Sequence, residues 1–216
     1  MTIESVAVPP GRRVLAAAFA FRDVFVPESA GVLVAVPLEV SALGALAWRG
    51  DDGTYRISLS GPAPTVPAGT FPVSVSAPGG AYAALDPITV TLPRAVSSPP
   101  VRGDFLQIVP LWPTRRLRLP PGETAVHGVV TQLGVPQPGL RILLHPGAVP
   151  PPGTPEARTD ERGEFVYRFP LGPGVAATAP MSLTVTCFDP IDPLTLTPSA
   201  LTLAAGRVHT LSLQRP

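Results

Sequence analysis

The sequence predicts an all-β protein built of two tandem immunoglobulin-like β-sandwich domains. Three observations carry that expectation. Apolar and polar residues alternate in period two along much of the chain, the pattern of strands with one buried face. The intervening gaps are rich in Pro (31) and Gly (20), which supply turn conformations and interrupt helices. The two halves also repeat one order of strands and turns.

In the first half, Val32, Val34, Val36, Leu38 and Val40 share one face of a predicted strand. Tyr55, Ile57 and Leu59 share the buried face of a second, Phe71, Val73, Val75 and Ala77 of a third, and Ile88, Val90 and Leu92 of a fourth. Turns are expected at Asp51-Asp52-Gly53, Pro67-Ala68-Gly69 and Pro78-Gly79-Gly80. In the second half, the inward sets are Val126, Gly128, Val130; Leu140, Ile142, Leu144; Phe165, Tyr167, Phe169; and Met181, Leu183, Val185, Cys187. Leu201 with Leu203, and Leu211 with Leu213, complete the pattern.

The repeat is clearest at two acidic turns. Gly50-Asp51-Asp52-Gly53-Thr54-Tyr55 parallels Asp160-Glu161-Arg162-Gly163-Glu164-Phe165. In each, a carboxylate is placed to accept backbone N–H groups, a Gly supplies positive φ, and an aromatic enters the core. The expected domains are 1–95, a Pro-rich linker and lead-in arm over 96–121, and 122–216. Ser97-Ser98-Pro99-Pro100 forms the stiff centre of that linker. The segment Phe105 to Leu119 reads as a lead-in strand, or as an arm docked on the first domain or on a partner.

Residues Val126-His127-Gly128-Val129-Val130, Pro136-Gln137-Pro138-Gly139 leading into Leu140–Leu144, and Thr159-Asp160-Glu161-Arg162-Gly163-Glu164-Phe165 resemble carboxypeptidase regulatory-like domains. That resemblance implies a transthyretin-like sandwich over roughly residues 122–215, and the first domain is similar to a more distant relative. The Arg22–Phe25 strand, the Asp-Asp-Gly-Thr-Tyr turn and Pro67–Phe71 resemble, in style, accessory structural proteins of phage-tail-like contractile injection systems. That second resemblance implies a place in a large particle.

No enzyme activity is expected. A zinc carboxypeptidase site needs a His and a Glu close in sequence. The positions three beyond His127, His145 and His209 hold Val130, Ala148 and Ser212. The histidines are expected to face solvent from strands or loops. There is no Gly-x-Ser-x-Gly elbow, and all 16 basic residues are Arg, which removes the Lys of a phosphate-binding loop. Cys187, the one cysteine, excludes an intrachain disulfide and is expected in the core. The acidic turns offer too few converging oxygens for calcium. No cofactor and no metal are expected, and Arg102-Gly103-Asp104 reads as a chance triplet.

Sixteen basic residues against fifteen acidic ones give a net charge of +1, so no strong field draws in nucleic acid or an anionic membrane. No apolar run approaches a membrane span, and the start of the chain lacks the pattern of a secretion signal. A cytoplasmic location is expected, within a phage-tail-like particle on the second resemblance. Partners are expected to be other proteins. The expected contact residues are Trp112, Arg115 and Arg116 in the arm, and Pro150, Pro151 and Pro152 in a proline-stiffened loop. Exposed strand edges offer a further docking mode by strand addition. The leading reading is a non-catalytic structural or binding module in a larger assembly. The alternative is an adaptor pair that positions a separate enzyme or toxin in trans.

Overall fold

A computed structural model describes residues 12–26, 33–34, 37–61, 66–83, 88–92, 106–169, 181–188 and 199–215. The expected linker centre and the Arg-Gly-Asp triplet lie outside them. The first strands are β1 (Arg12–Asp23), β2 (Glu39–Ala42), β3 (Ala45–Leu46), β4 (Trp48–Arg49), β5 (Tyr55–Gly61) and β6 (Gly69–Ser76). Next come β7 (Tyr82–Ala83), β8 (Ile88–Leu92), β9 (Leu106–Pro113), β10 (Thr124–Gln132), β11 (Val135–Pro136) and β12 (Arg141–His145). The last are β13 (Ala157–Arg158), β14 (Glu164–Phe169), β15 (Met181–Phe188), β16 (Ser199–Leu203) and β17 (Val208–Arg215). One 3-10 turn, Pro78–Gly80, is the only helical element among the described residues.

The chain forms two compact units, and both are β-sandwiches. The first comprises Met1–Phe21, Leu38–Val75 and Pro87–Val109; the second comprises Arg22–Pro37, Ser76–Asp86 and Pro110–Pro216. These units interleave along the chain, unlike the contiguous segments 1–95, 96–121 and 122–216 expected from sequence. Within the lead-in arm, Leu106–Pro113 is a paired strand, which is the first of the two readings open for that segment.

In the first unit, β4, β5 and β1 lie side by side, and a second sheet runs β3-β2-β6-β8. The apolar stretch Ala16–Phe21 of β1 is buried on both faces, so it shows no alternation. Phe21 meets Tyr55 edge-on with ring centroids 5.5 Å apart. The Tyr55 hydroxyl accepts the Leu38 N–H at 2.7 Å, satisfying both groups inside the core. The expected strand Val32–Val40 differs in part. Leu38 and Val40, and Val34 in the second unit, are buried as their alternation requires, Val32 and Val36 lie outside the described residues, and among the described residues pairing begins only at Glu39.

In the second unit, β10 pairs antiparallel with β14 and β11 and in parallel with β17. The opposing sheet runs β13-β12-β15-β16. Between them lies a core that includes Val126, Val130, Ile142, Phe165, Val185 and Cys187. The Val-x-Gly and Gly-x-Phe segments prove to be two halves of one contact. Gly128 and Phe165 are cross-strand partners, and the Phe165 ring lies directly over the glycine. Gly163 is equally constrained: it holds φ +68, and a Cβ there would lie 2.5 Å from the Val130 carbonyl oxygen.

The repeat seen in sequence has matching hydrogen bonds in the two units. In the first acidic turn, Gly50 N–H donates to Thr54 O (2.8 Å) and Gly53 N–H to Gly50 O (2.9 Å). In the second, Asp160 N–H donates to Glu164 O (2.9 Å) and Gly163 N–H to Asp160 O (2.8 Å). Both units also carry a two-residue hairpin on a Leu-Gly pair. Leu43-Gly44 has φ 56 and 71, Leu133-Gly134 has φ 49 and 80, and positive φ at both positions is what a type I′ turn requires.

A buried charge network explains why two early segments belong to the second unit. Arg168 clamps Glu123 with two bonds (Nε–Oε1 2.6 Å, Nη2–Oε2 3.0 Å) and also donates to Asp23. Asp23 further accepts from the Tyr82 hydroxyl and the Phe25 N–H, each at 2.9 Å. Side chains of Arg168, Asp23 and Glu123 are only 11%, 4% and 8% exposed. Burial opposes the Arg168 charge, but the Glu123 bond and the Asp23 charge raise its pKa overall. Burial, then the Asp23 charge, pushes the Tyr82 phenol well above its usual range.

Candidate functional site

An open cleft of about 820 Å³ lies in the second unit. The acidic turn Asp160–Gly163 builds one side. Asp160 Oδ1 accepts the N–H groups of Arg162 and Glu164, both at 2.9 Å, which fixes the turn and projects Arg162. A second turn, Thr114–Leu117, faces it, closed by the Leu117 N–H to Thr114 O bond of 3.0 Å. The Thr114 hydroxyl donates to Gly80 O and accepts the Arg116 N–H at 3.2 Å. Tyr82, Pro138 and Gly139 complete the lining.

Four arginines line this cleft: Arg115, Arg116, Arg158 and Arg162. Arg115 pairs with Glu164 at 2.7 Å. Arg158 lies over the Trp112 ring, 4.9 Å from its centroid, and contacts Glu156 at 3.2 Å. Arg116 and Arg162 are exposed, as is Glu161. Four positive groups therefore face the three carboxylates Asp160, Glu161 and Glu164, a mixed and nearly balanced lining. The half-buried His127 is affected as well. Burial first, then the Arg115 charge, lowers its pKa below the usual value.

The expected contact residues divide. Arg115 and Arg116 line the cleft. Trp112 does not project: it is 9% exposed, and its indole N–H donates to Glu156 O at 3.2 Å. It packs in its own unit because β9 pairs with β7 there, Trp112 opposite Ala83. Pro150 is half-buried, Pro151 and Pro152 are exposed, and none of the three lines the cleft. The loop is tied by Thr154, whose N–H and hydroxyl both donate to Pro151 O, at 3.1 and 2.7 Å. At its base Pro155 O accepts the buried Tyr167 hydroxyl at 2.9 Å. Sequence reasoning missed Arg158 and Arg162 as partners of Arg115 and Arg116, having read their segment only as a turn.

The histidines correct one expectation. His145 does not face solvent; it is 1% exposed and shares a hydrogen bond of 2.8 Å with the Thr186 hydroxyl. Both faces of β12 are covered, so alternation misassigned it. His209 bonds the backbone of Ala204 through Nε2. Cys187 is buried, as its place in the alternation predicts. Among the described residues, no three His, Cys, Asp or Glu side chains group as metal ligands.

No protein-family model matches the chain, so the two family resemblances rest on the quoted motifs alone. No curated protein matches it either. Among solved structures it is similar to a point mutant of shaft pilin spaA from Lactobacillus rhamnosus GG, at 9% identity over 94% of this chain and 99% of that one, with a TM-score of 0.32. It is similar to GBS52, the minor pilin of Streptococcus agalactiae, at 12% identity over 79% and 66%, with a TM-score of 0.29. A DUF3823 family protein from Bacteroides ovatus gives 14% identity over 90% and 98%, with a TM-score of 0.26. All three likenesses are distant.

Proposed function

We propose that the chain is a non-catalytic structural and binding module that works through surface contacts inside a larger protein assembly. The carrying observation is where its reactive side chains are spent. Asp52 accepts the Thr54 N–H and hydroxyl and pairs with Arg56; Asp160 holds its own turn. Asp23, Glu123 and Arg168 neutralise one another, and Glu156 bridges Arg141 and Arg158. His145 and Cys187 are core residues. These groups stabilise sandwiches rather than converge on a common reacting atom, which is what catalysis would need.

The finer reading is a component of a contractile injection particle, and it is supported by the motif style of the first half alone. The test is size-exclusion chromatography with light scattering on chain isolated from native lysate. Retention in a stable, very large complex with repeated copies supports the proposal. Elution at the 22.4 kDa of the free chain contradicts it and favours an adaptor that positions an enzyme or toxin in trans.

A further inference from the structure

The hairpin between β10 and β11 carries a side chain that its own fold does not use. Leu133 sits at φ 49 and is 88% exposed. A branched residue at positive φ is disfavoured, and Asn, Asp or Gly would serve this turn at lower cost. Exposed in water, the leucine gains no burial that offsets the strain. Val135, the other side of the same turn, is 60% exposed. A strained residue kept where the fold does not need it points to a contact.

This apolar tip stands beside the cleft. The outgoing arm of the hairpin continues through Pro136 to Pro138 and Gly139 in the cleft wall. Gly163 of the acidic turn packs against Pro136 and Gln137. Knob and socket are thus neighbours in one unit, and the socket holds charges of both signs in near balance. An isologous interface needs that arrangement, because each copy must present both members of every pair. A patch built for a strongly acidic or basic partner would be one-signed instead.

We infer that the β10–β11 hairpin tip and the adjacent cleft form a self-complementary docking surface for a second copy of this chain. Leu133 and Val135 of each copy enter the cleft of the other. Arg116 and Arg162 of one copy face Asp160 and Glu161 of its mate. This inference rests on the proposed role of the chain as a contact module, and it names the first partner.

The test is light scattering of the purified full chain over a range of concentrations. Wild type is expected to approach twice 22.4 kDa as concentration rises. Leu133→Asn is expected to remain monomeric throughout, and at a dilution where wild type is monomeric too its thermal midpoint is expected to be the higher, since Asn suits the turn. Raised stability with lost association separates a contact role from a structural one. Arg116→Glu with Arg162→Glu, both at exposed positions, is expected to weaken association at least about tenfold and to leave the thermal midpoint near wild type. Monomeric wild type at every concentration overturns the inference, as does a dimer untouched by these variants. A monomeric purified chain that still elutes in a large native complex overturns self-docking and leaves the contact-module proposal standing.

Discussion

Gly128→Ala tests the packing argument at its most exact point. A Cβ at residue 128 would lie 2.1 Å from two ring carbons of Phe165 and 2.8 Å from a third. Carbon atoms prefer roughly 3.5–4.0 Å, so the ring or the strand must move more than an ångström. Phe165 is 1% exposed and held among core residues of both sheets. Overpacking of this kind costs roughly 1–3 kcal/mol, and the short approach puts this case at the upper end. In an unobstructed strand the same change would gain roughly 0.5–1 kcal/mol instead. Equilibrium urea unfolding reads the difference as a lowered midpoint at constant slope. Phe165→Leu removes the obstructing ring, so the double variant should be less destabilised than the sum of the singles, with a coupling of roughly 0.5–3 kcal/mol. A Gly128→Ala variant within about 0.5 kcal/mol of wild type, or strict additivity, would refute the reasoning.

Three further outcomes are expected. Leu133→Asn should stabilise the second unit by about 1 kcal/mol, because Leu carries a penalty of that order at positive φ; calorimetry should show its transition raised by roughly 3–4 °C. Arg168→Met leaves Asp23 and Glu123 buried without a counter-charge, so it should cost about 3–5 kcal/mol in urea unfolding, and adding Asp23→Asn and Glu123→Gln should recover much of the loss. His127 has a folded pKa below its ordinary 6.5, so the unfolded chain takes up the proton first as pH falls. Its contribution to stability is therefore complete above that value and declines as pH drops from 6.5 towards the lower folded pKa. A His127→Gln variant should show a shallower acid decline in thermal midpoint than wild type.

Sequence legibility followed the physics of one-sided burial. Strands β5, β6 and β8, and β10 from Val126 onward, bury alternate residues, so Tyr55, Ile57, Val73, Val90, Val126 and Val130 could be placed inward by period alone. The signal failed where both faces are covered. Ala16–Phe21 shows only a continuous apolar run, and His145 on β12 is buried opposite the face that Ile142 and Leu144 announce. The two acidic turns were legible because Gly, carboxylate and aromatic each have a separate local job. Assignment of the 22–26 and 78–83 segments to the second unit was not, since it depends on Asp23 meeting Arg168 and Tyr82 across long stretches of chain. The cleft was half legible. Arg115 and Arg116 stood out as a cluster, but their union with Arg158 and Arg162 is made by tertiary packing. Trp112 looked like a contact anchor for want of any sequence sign that β7 and Glu156 would cover it.

Hydrogen–deuterium exchange on the chain, free at a dilution where it is monomeric and within its native complex, tests the central claim most directly. The account predicts added protection over 131–139 and 158–164, with the buried network unchanged. Identical exchange in the two states, or protection confined to other segments, would contradict it.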